Sequence, residues 1–410
     1  MRKPFYGWAI TSMGVLGNAL QGGLIFWSMG MYTSAFEDEF GATRARITLI
    51  ETLITAGSNI MSPFVGMWVD KKSARHLVAV GAVSMGTGMV LISQAGQLVQ
   101  VWVVYATLIP LGVLSLGMLP SSALIARWFR KNRGLALGVS LTGSSIGGFL
   151  APPALAFLFV AYGWRTSMMF LGLGVIALAP VFYRVLANFP EDRGLEPEAP
   201  AARDDAVSTS TQAADWSFRR LFRSPTLYLQ TVYSGALLGV TLGMLANLSL
   251  HTKDLGFSGQ QTALLYSIVA FCSLGGKVVT GSLADRFGVG PVALLAVLLM
   301  SAALLTFWSL ESYQGLMLAS VLLGGAAGST TPVWTSMISR SFGARSFGRA
   351  FGIQSPMHIP ITAPTAPLAG HISDVTGSYE LVFLLYLGIV GLAALALLLM
   401  PRAAADPVPA

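Results

Sequence analysis

The sequence has little charge and almost no cysteine. Only 10% of its 410 residues are charged and 54% are hydrophobic, whereas roughly 25% of the residues in an average soluble domain are charged. A water-soluble core could not bury so much apolar surface, so this composition excludes an ordinary soluble domain. The single cysteine, Cys272, excludes an intrachain disulfide.

Motifs for enzymatic chemistry or ATP-driven work are also missing. The chain lacks the phosphate-binding pattern G-x-x-x-x-G-K-[ST], so ATP bound to this chain cannot be its energy source. The four histidines and one cysteine do not follow the spacing of metal ligands. The sequence therefore predicts no enzyme, no cofactor and no metal site.

Long apolar stretches dominate the chain instead. We identify twelve, most of about 20 to 28 residues, and each can cross a hydrocarbon layer of ~30 Å as a helix. Their continuous apolarity is unlike the alternating pattern of membrane barrel strands. The first stretch has no cleavage pattern, so we interpret it as a helix rather than a signal peptide. The predicted spans are 8–33, 46–69, 76–95, 99–127, 134–160, 165–187, 226–250, 260–284, 289–309, 312–339, 348–373 and 379–400.

The basic residues indicate how these spans are oriented. With the N-terminus in the cytoplasm, 20 of the 25 Lys and Arg residues fall on the inner side. Four fall outside, namely Arg44, Arg46, Arg165 and Lys253, and Lys277 lies within a span. This positive-inside bias predicts a multi-pass protein of the bacterial inner membrane with both termini cytoplasmic. It also accounts for the net charge of +7, so we predict no nucleic-acid binding.

Sequence landmarks recur at one spacing. Gly66 and Gly281 lie 215 residues apart, while a spacing of 214 relates Gly134 to Gly348, Pro153 to Pro367 and Gly163 to Gly377. The only long polar stretch, from Glu191 to Arg223, separates the two copies and is typical of a mobile linker. The predicted fold is an all-α membrane protein of twelve transmembrane helices in two parallel six-helix repeats. The predicted divisions are an N-terminal half 1–187, a cytoplasmic linker 188–225 and a C-terminal half 226–410.

Several of these motifs resemble the major facilitator superfamily. Its G-x-x-x-D signature is matched at Gly66-Met67-Trp68-Val69-Asp70 and repeated from Gly281 to Asp285. The loop motifs Phe5-Tyr6-Gly7-Trp8, Arg127-Trp128-Phe129 and Gly163-Trp164-Arg165 resemble the branch that contains monocarboxylate transporters and oxalate/formate antiporters. The resemblance implies an alternating-access carrier of small carboxylates such as lactate, pyruvate or oxalate.

The chain also departs from that branch. Proton-coupled monocarboxylate transporters have a Lys on the first helix, and an Asp one turn before the substrate cation on the eighth. This chain has no Lys in the first span, and Ser273 stands at the Asp position. The resemblance therefore does not imply proton coupling by that particular relay.

Lys277 is the most informative single residue. A cation inside a membrane span costs roughly 2.5 to 3.5 kcal/mol on insertion scales, so it is usually paired or functional. Lys277 precedes Asp285 by eight residues, about 12 Å along a helix, and it matches the cation that holds the carboxylate in the family resembled. We predict that it binds the substrate anion. The alternative is a structural ion pair, although no predicted span has an acidic residue near its middle.

His358 lies near the middle of the eleventh span, among prolines at 356, 360, 364 and 367. Each proline removes a backbone donor, so this pattern predicts a broken helix. A broken helix with a titratable side chain is typical of a midplane site, and oxalate/formate antiporters carry a second cation on this helix. We predict that His358 binds substrate and is a candidate for proton coupling. The alternative is a neutral histidine that hydrogen bonds between helices.

Other polar residues give weaker signals. Asn18, Gln21 and Asn247 are candidates either for substrate binding or for contacts between helices. Glu51 is expected to pair with Arg44 or Arg46 near the outer surface. We predict gate contacts at the inner side from four residues, namely Asp70, Asp285, Arg286 and Arg133.

Two further sets of residues have structural interpretations. The small residues of the fifth span suit close helix packing; they are Ser140, Gly143, Ser144, Ser145, Gly147 and Gly148. Trp27 and Trp334 either flank the cavity or anchor the chain at the membrane interface.

The predicted function is secondary transport of a small organic anion, a mono- or dicarboxylate, with proton coupling left open. The expected partners are that anion, H+ and the lipid bilayer, and the chain is expected to act as a monomer. One alternative is export of a toxic small molecule or metalloid, with Cys272 as a soft ligand. Another is a membrane sensor that kept the fold without transport.

Overall fold

The computed structural model describes residues 5–71, 73–129, 133–195 and 216–401. All regular secondary structure in these ranges is helical. Nine of the helices described are long and apolar enough to cross a membrane. The linker prediction concerns 188–225, of which residues 196–215 lie outside the described part.

The first six membrane helices, α1 to α6, are not all continuous. Helix α1 has three consecutive segments, α4 also has three, and α5 and α6 run into one another with a break at Gly163. Their bounds are Gly7–Gln21, Gly22–Trp27 and Met29–Phe40 for α1, Arg44–Lys71 for α2, Ala74–Ser93 for α3, Leu98–Ala106, Leu108–Leu116 and Met118–Trp128 for α4, and Arg133–Val185 for α5 with α6.

The other six, α7 to α12, follow a short helix at Phe218–Phe222. Helices α10 and α11 run into one another with a break at Gly343, and α11 has two further interruptions. Their bounds are Pro225–Asp254 for α7, Gly259–Phe287 for α8, Val289–Ser309 for α9, Tyr313–Met357 for α10 with the first part of α11, Ile359–Thr362 and Thr365–Thr376 for the rest of α11, and Glu380–Leu399 for α12.

Two glycine breaks reconcile these helices with the twelve predicted spans. Gly163 has φ 73° and ψ 160°, and Gly343 has φ 75° and ψ 164°. Glycine reaches such angles readily because it has no Cβ. Each break turns one long helical run into two membrane helices, so the prediction of twelve helices is confirmed. The nine apolar spans cover ten of these twelve helices, because one span includes both α5 and α6. The two helices outside the nine spans are α2 and α11.

Turns at matching positions support the predicted repeat. Gly41, after α1, has φ 56°, and Gly256, after α7, has φ 80°; they lie 215 residues apart. Gly163 and Gly377 lie 214 residues apart and have φ 73° and 69°. Each pair places a glycine with positive φ after the corresponding helix of the two copies.

Contacts group the chain into two compact units, and each is described by itself. The first comprises Met1–Ser210 together with Leu248–Ala270, and the second comprises Thr211–Asn247 together with Phe271–Ala410. The first unit thus includes the ends of α7 and α8 that lie on the predicted outer face. The predicted boundary at 188–225 stays a prediction.

Glycines of α5 allow it to lie directly against α1 in the first unit. A Cβ at Gly143 would overlap the carbonyl group of Val15, and one at Gly147 would overlap the carbonyl group of Ala19. Only glycine permits this separation of the two backbones. The prediction that the small residues of the fifth span serve packing is confirmed at these positions.

Candidate substrate site

His358 lies in α11 at the junction of two helical segments. One helical segment ends at Met357 and the next begins at Ile359. The His358 carbonyl oxygen accepts hydrogen bonds from the backbone N–H groups of Ile361 at 2.9 Å and Thr362 at 2.8 Å. The His358 backbone keeps helical angles, φ −70° and ψ −26°, and its N–H donates to the Gln354 carbonyl oxygen at 3.1 Å, so the predicted broken helix stays a prediction.

The His358 side chain is buried, with 5% of its surface exposed. Its Nε2 atom lies 2.9 Å from the Ser234 hydroxyl oxygen of α7. Its ring meets the Trp334 ring of α10 edge to face, with centroids 4.7 Å apart. Gly235 leaves room for the imidazole, because a Cβ there would lie 3.1 Å from His358 Cδ2. Three helices of the second unit therefore hold this ring in place.

A second hydrogen bond of Ser234 determines the tautomer of His358. The Ser234 hydroxyl donates to the Gln230 carbonyl oxygen at 2.6 Å. Since a hydroxyl has a single proton, Nε2 of His358 must donate to Ser234. A neutral His358 then has Nδ1 as its basic nitrogen, and Nδ1 is the atom available for a proton.

A buried amide network adjoins the histidine. Trp334 Nε1 donates to the Gln354 side-chain oxygen at 2.6 Å. The Gln354 amide nitrogen donates to Gln230 Oε1 at 3.3 Å, and the Gln230 amide donates to the Ser341 hydroxyl at 2.8 Å. Such connected buried networks fix side-chain positions, so Trp334 is held against His358. Its burial also excludes the alternative of an interfacial anchor for Trp334.

Lys277 lies on α8 in the same unit and is partly buried. The residue before it, Gly276, allows α8 and α10 to touch: a Cβ there would lie 2.8 Å from the Gly325 carbonyl oxygen. Trp334 follows Gly325 by nine residues, about 13 Å along α10 at 1.5 Å per residue. Lys277 and His358 therefore lie on helices that both contact α10, at different levels along it.

Two of the three candidate amides, Asn18 and Asn247, make hydrogen bonds between helices. The Asn247 amide nitrogen donates to the carbonyl oxygens of Gly243 at 3.0 Å and Ala366 at 3.2 Å. The Asn18 amide donates to the Gly14 carbonyl oxygen at 2.9 Å. Both side chains are buried, which favours the packing alternative for each. Gln21 is partly exposed, and its part in substrate binding stays a prediction.

The predicted inner gate is described only in part. The side chains of Asp70, Asp285 and Arg133 lie outside the described part of the structure, and Arg286 is exposed. The gate therefore stays a prediction. Trp27 is buried in the first unit, where its ring faces the space that a Cβ at Gly148 would occupy.

The predicted pair of Glu51 with Arg44 or Arg46 is wrong. Arg44 instead forms ion pairs with Glu37 at 2.8 Å and with Asp254 at 2.5 Å. Arg46 is exposed, and Glu51 is buried with 3% of its surface accessible. The physical reason is reach: Glu51 lies seven residues after Arg44, about 10 Å along α2, and nearer carboxylates engage the guanidinium.

The acidic and basic residues near the turn after α1 form an outer ion cluster, which we define as Glu37, Asp38, Arg44, Lys253 and Asp254. Lys253 donates to Glu37 at 2.8 Å and to Asp38 at 2.6 Å. Burial acts to raise the pKa of Glu37, but the hydrogen bonds from Lys253 and Arg44 outweigh it and lower that pKa below its usual range. All five residues belong to the first unit.

The metalloid alternative has no structural support. Cys272 is partly buried on α8, and no group of three or more His, Cys, Asp or Glu residues in the described ranges is placed to hold a metal ion. A soft metal needs several thiolate or imidazole ligands at one point.

The sequence analysis did not identify three polar residues of this site, namely Ser234, Gln230 and Gln354. All three are polar residues inside apolar spans, and the four-residue spacings from Gln230 to Ser234 and from Gln354 to His358 place each pair on one helical face. These spacings within apolar spans were the sequence feature that could have identified the three residues.

The chain is similar to known membrane transporters. The sequence model described as Major Facilitator Superfamily matches residues 14–270 and 235–410. Monocarboxylate transporter 13 of Rattus norvegicus is 27% identical over 390 residues, which cover 92% of this chain and 85% of the relative. Monocarboxylate transporter 11 of Homo sapiens is 27% identical over 391 residues, covering 93% and 80%. These relatives are transporters, in agreement with the prediction of a transport protein rather than an enzyme.

A solved structure agrees on the fold. A bacterial homolog of the human lysosomal transporter Spinster, in an inward-facing and occupied conformation, has a TM-score of 0.67 and 15% sequence identity. The match covers 98% of this chain and 95% of that chain.

Proposed function

Because the chain belongs to the Major Facilitator Superfamily, we propose that it is a secondary transporter of a small organic anion of the monocarboxylate class. The relatives that are named monocarboxylate transporters share about a quarter of their sequence with it over most of its length. This likeness supports the substrate class, and the residues of the second unit supply a chemical reason for it.

One observation carries the proposal: Lys277 is a cation inside an apolar helix, at a close approach of α8 and α10. A cation at membrane depth costs free energy unless an anion compensates it. An anionic substrate can supply that compensation for part of the cycle. Lysine offers a charged donor to a carboxylate, and such charge-assisted hydrogen bonds are about twice as strong as neutral ones.

His358 supplies the second polar contact. Its ring is fixed by Ser234 and Trp334, and the geometry of the Ser234 hydroxyl leaves Nδ1 as the basic nitrogen. A proton at Nδ1 would give His358 a donor toward a carboxylate oxygen. We propose that His358 takes up a proton together with the anion, so that proton and anion move in the same direction.

The test is ligand-induced thermal stabilisation of the purified protein. Lactate, pyruvate, oxalate and formate would be compared with small amines and neutral drugs at one pH and ionic strength. A ligand that binds only the folded state stabilises it by about 2.7 kcal/mol at 100 times its Kd. We expect an acid to raise the melting temperature of the wild type but not of Lys277→Gln. Stabilisation by an amine or a neutral drug, with no effect of any acid, would contradict the proposal.

A further inference from the structure

Among the buried side-chain polar atoms of the first unit that have no hydrogen-bond partner in the described ranges, three belong to helices that pack against one another. They are the hydroxyl groups of Tyr32 and Tyr105 and the Oε1 atom of Glu51. The accessible fractions of these residues are 0%, 0% and 3%. They come from three different helices, α1, α4 and α2. Buried polar atoms are nearly always hydrogen bonded in native proteins, so a cluster of three exceptions calls for an explanation.

The three groups lie in one region. Helix α2 packs against the last segment of α1 and the first segment of α4. The Glu51 carboxyl group and the Tyr32 hydroxyl group are both near enough to act electrostatically on the Tyr105 hydroxyl group. We call Tyr32, Glu51 and Tyr105 the buried carboxyl cluster.

No cation in the described ranges compensates a charge on Glu51. Arg44 is engaged by Glu37 and Asp254, and Arg46 is exposed. The acidic residues at the end of α1 are themselves paired with cations of the first unit. The remaining charged or titratable residues on helices that pack against α2 lie at its predicted inner end, namely Arg75, His76 and Arg127.

An ionised carboxylate in this position would be unstable. Moving a charge from water into a protein interior without a partner costs several kcal/mol even after relaxation. A carboxylic acid avoids this cost and offers one donor and one acceptor. Glu51 is therefore expected to carry a proton in this conformation.

We propose that the buried carboxyl cluster is a proton-binding site of the transport cycle, occupied in this conformation, and separate from His358. The proton is released from Glu51 when the cycle admits water to the cluster and is taken up again when the cluster closes. In this conformation neither tyrosine hydroxyl group hydrogen bonds the carboxyl group, and both are chemically able to donate to it or accept from it after a rearrangement. This inference rests on the proposed transport function.

A metal cation fits the cluster less well than a proton. Hard cations such as Ca²⁺ take about six to eight oxygen ligands. The cluster offers one carboxyl group and two phenol oxygens, and no group of three metal-ligating side chains occurs among the described residues. A proton needs only the carboxyl group.

Infrared difference spectroscopy tests the protonation directly. A protonated carboxyl group has a C=O stretching band that ionised carboxylates lack, and most of the 18 Asp and Glu residues are ionised at neutral pH. We expect such a band at neutral pH in the wild type, its loss in Glu51→Gln, and its retention in the exposed control Glu311→Gln. Tyr105→Phe keeps the ring and should shift the band without removing it. A wild type with no band sensitive to Glu51→Gln would overturn the proposal.

Transport assays test whether this proton takes part in the cycle. In proteoliposomes we expect Glu51→Gln to accumulate at least tenfold less acid than the wild type under a proton gradient. Its rate of acid exchange across the membrane should stay within twofold of the wild-type rate. Normal accumulation by Glu51→Gln would show a purely structural carboxyl group and overturn the proposal. So would stabilisation of the wild type, but not of Glu51→Gln, by Na⁺. If wild type exchanges no acid, the proposed substrate class fails, and the infrared result still decides the protonation of Glu51.

Discussion

Ser234 and His358 lie 124 residues apart in the chain and share a hydrogen bond of 2.9 Å. Because the Ser234 proton is already donated to the Gln230 carbonyl oxygen, the serine can only accept from the imidazole. The pair therefore fixes both the ring orientation and the tautomer. A histidine placed in this way has one defined atom, Nδ1, through which it can exchange a proton or contact an anion.

Ser234→Ala is expected to release this constraint. A hydrogen bond of this kind contributes about 0.5 to 1.5 kcal/mol, so acid uptake should fall roughly twofold to tenfold. Nitrogen NMR of labelled histidine should show His358 changing from one tautomer to a mixture. The matched control is Thr241→Val on the same helix, whose hydroxyl bonds only to its own helix at Leu237. An unchanged tautomer in Ser234→Ala would contradict the assignment.

Lys277→Gln is expected to reduce acid transport at least tenfold while membrane insertion stays normal. A hydrogen bond to a charged group contributes about 1.5 to 3 kcal/mol, which corresponds to roughly 10- to 100-fold in binding. Lys277→Arg should keep part of the activity, since it keeps the charge but changes its geometry. The measurement is uptake of labelled acid at equal amounts of protein in the membrane. Equal transport by wild type and Lys277→Gln would show that the anion binds elsewhere.

The helices could be predicted from sequence because they depend on local chemistry. Apolar length determines which segments can cross a membrane, and prolines around His358 remove backbone donors whatever the tertiary fold. The glycines at 163 and 377 marked repeated turns for the same reason: their positive φ is a local requirement.

The partners of polar side chains could not be predicted in this way. The sequence predicts a pair of Glu51 with Arg44 or Arg46 on its own helix, yet Arg44 binds Asp254, which is 210 residues away. Likewise Ser234 and Gln354 join the site only because α7, α10 and α11 converge in the second unit. Such contacts depend on tertiary packing, which a single sequence does not encode in any local pattern.

The outer ion cluster should make stability depend on pH. The ion pairs with Lys253 and Arg44 lower the pKa of Glu37 below its free value of about 4.3. A carboxyl group with a lowered pKa stabilises the fold above its unfolded-state pKa, and this stabilisation is lost as pH falls through the folded-state value. At pH values below about 4, we expect the melting temperature of the wild type to decrease more steeply with pH than that of Glu37→Gln.

The size of that effect is limited because the cluster is partly exposed. Exposed ion pairs contribute about 0.2 to 1 kcal/mol each and are screened by salt. Raising the ionic strength at neutral pH should therefore reduce the difference between wild type and Glu37→Gln. Glu380→Gln, at the start of α12, serves as the control for an exposed carboxylate outside the cluster. If both variants follow the same pH profile, the cluster contributes nothing to stability.

The last prediction concerns coupling through His358. Burial opposes a positive charge on the empty imidazole. An arriving carboxylate offsets the charge of Lys277 and can accept a charge-assisted hydrogen bond from a protonated Nδ1. Anion binding and proton binding then favour each other by the same factor, as thermodynamic linkage requires.

This coupling can be measured in proteoliposomes with an imposed inward proton gradient. The wild type should accumulate acid in response to the gradient, whereas His358→Gln, which cannot carry the proton, should respond at least tenfold less. The matched control is His371→Gln, which changes an exposed histidine later in α11. Asn247→Asp is unsuitable as a control because the Asn247 side chain hydrogen bonds between two helices. If wild type and His358→Gln respond equally, the coupling proton binds elsewhere and Lys277 alone serves the anion. An additional loss of the response in Glu51→Gln would then assign the coupling proton to the buried carboxyl cluster.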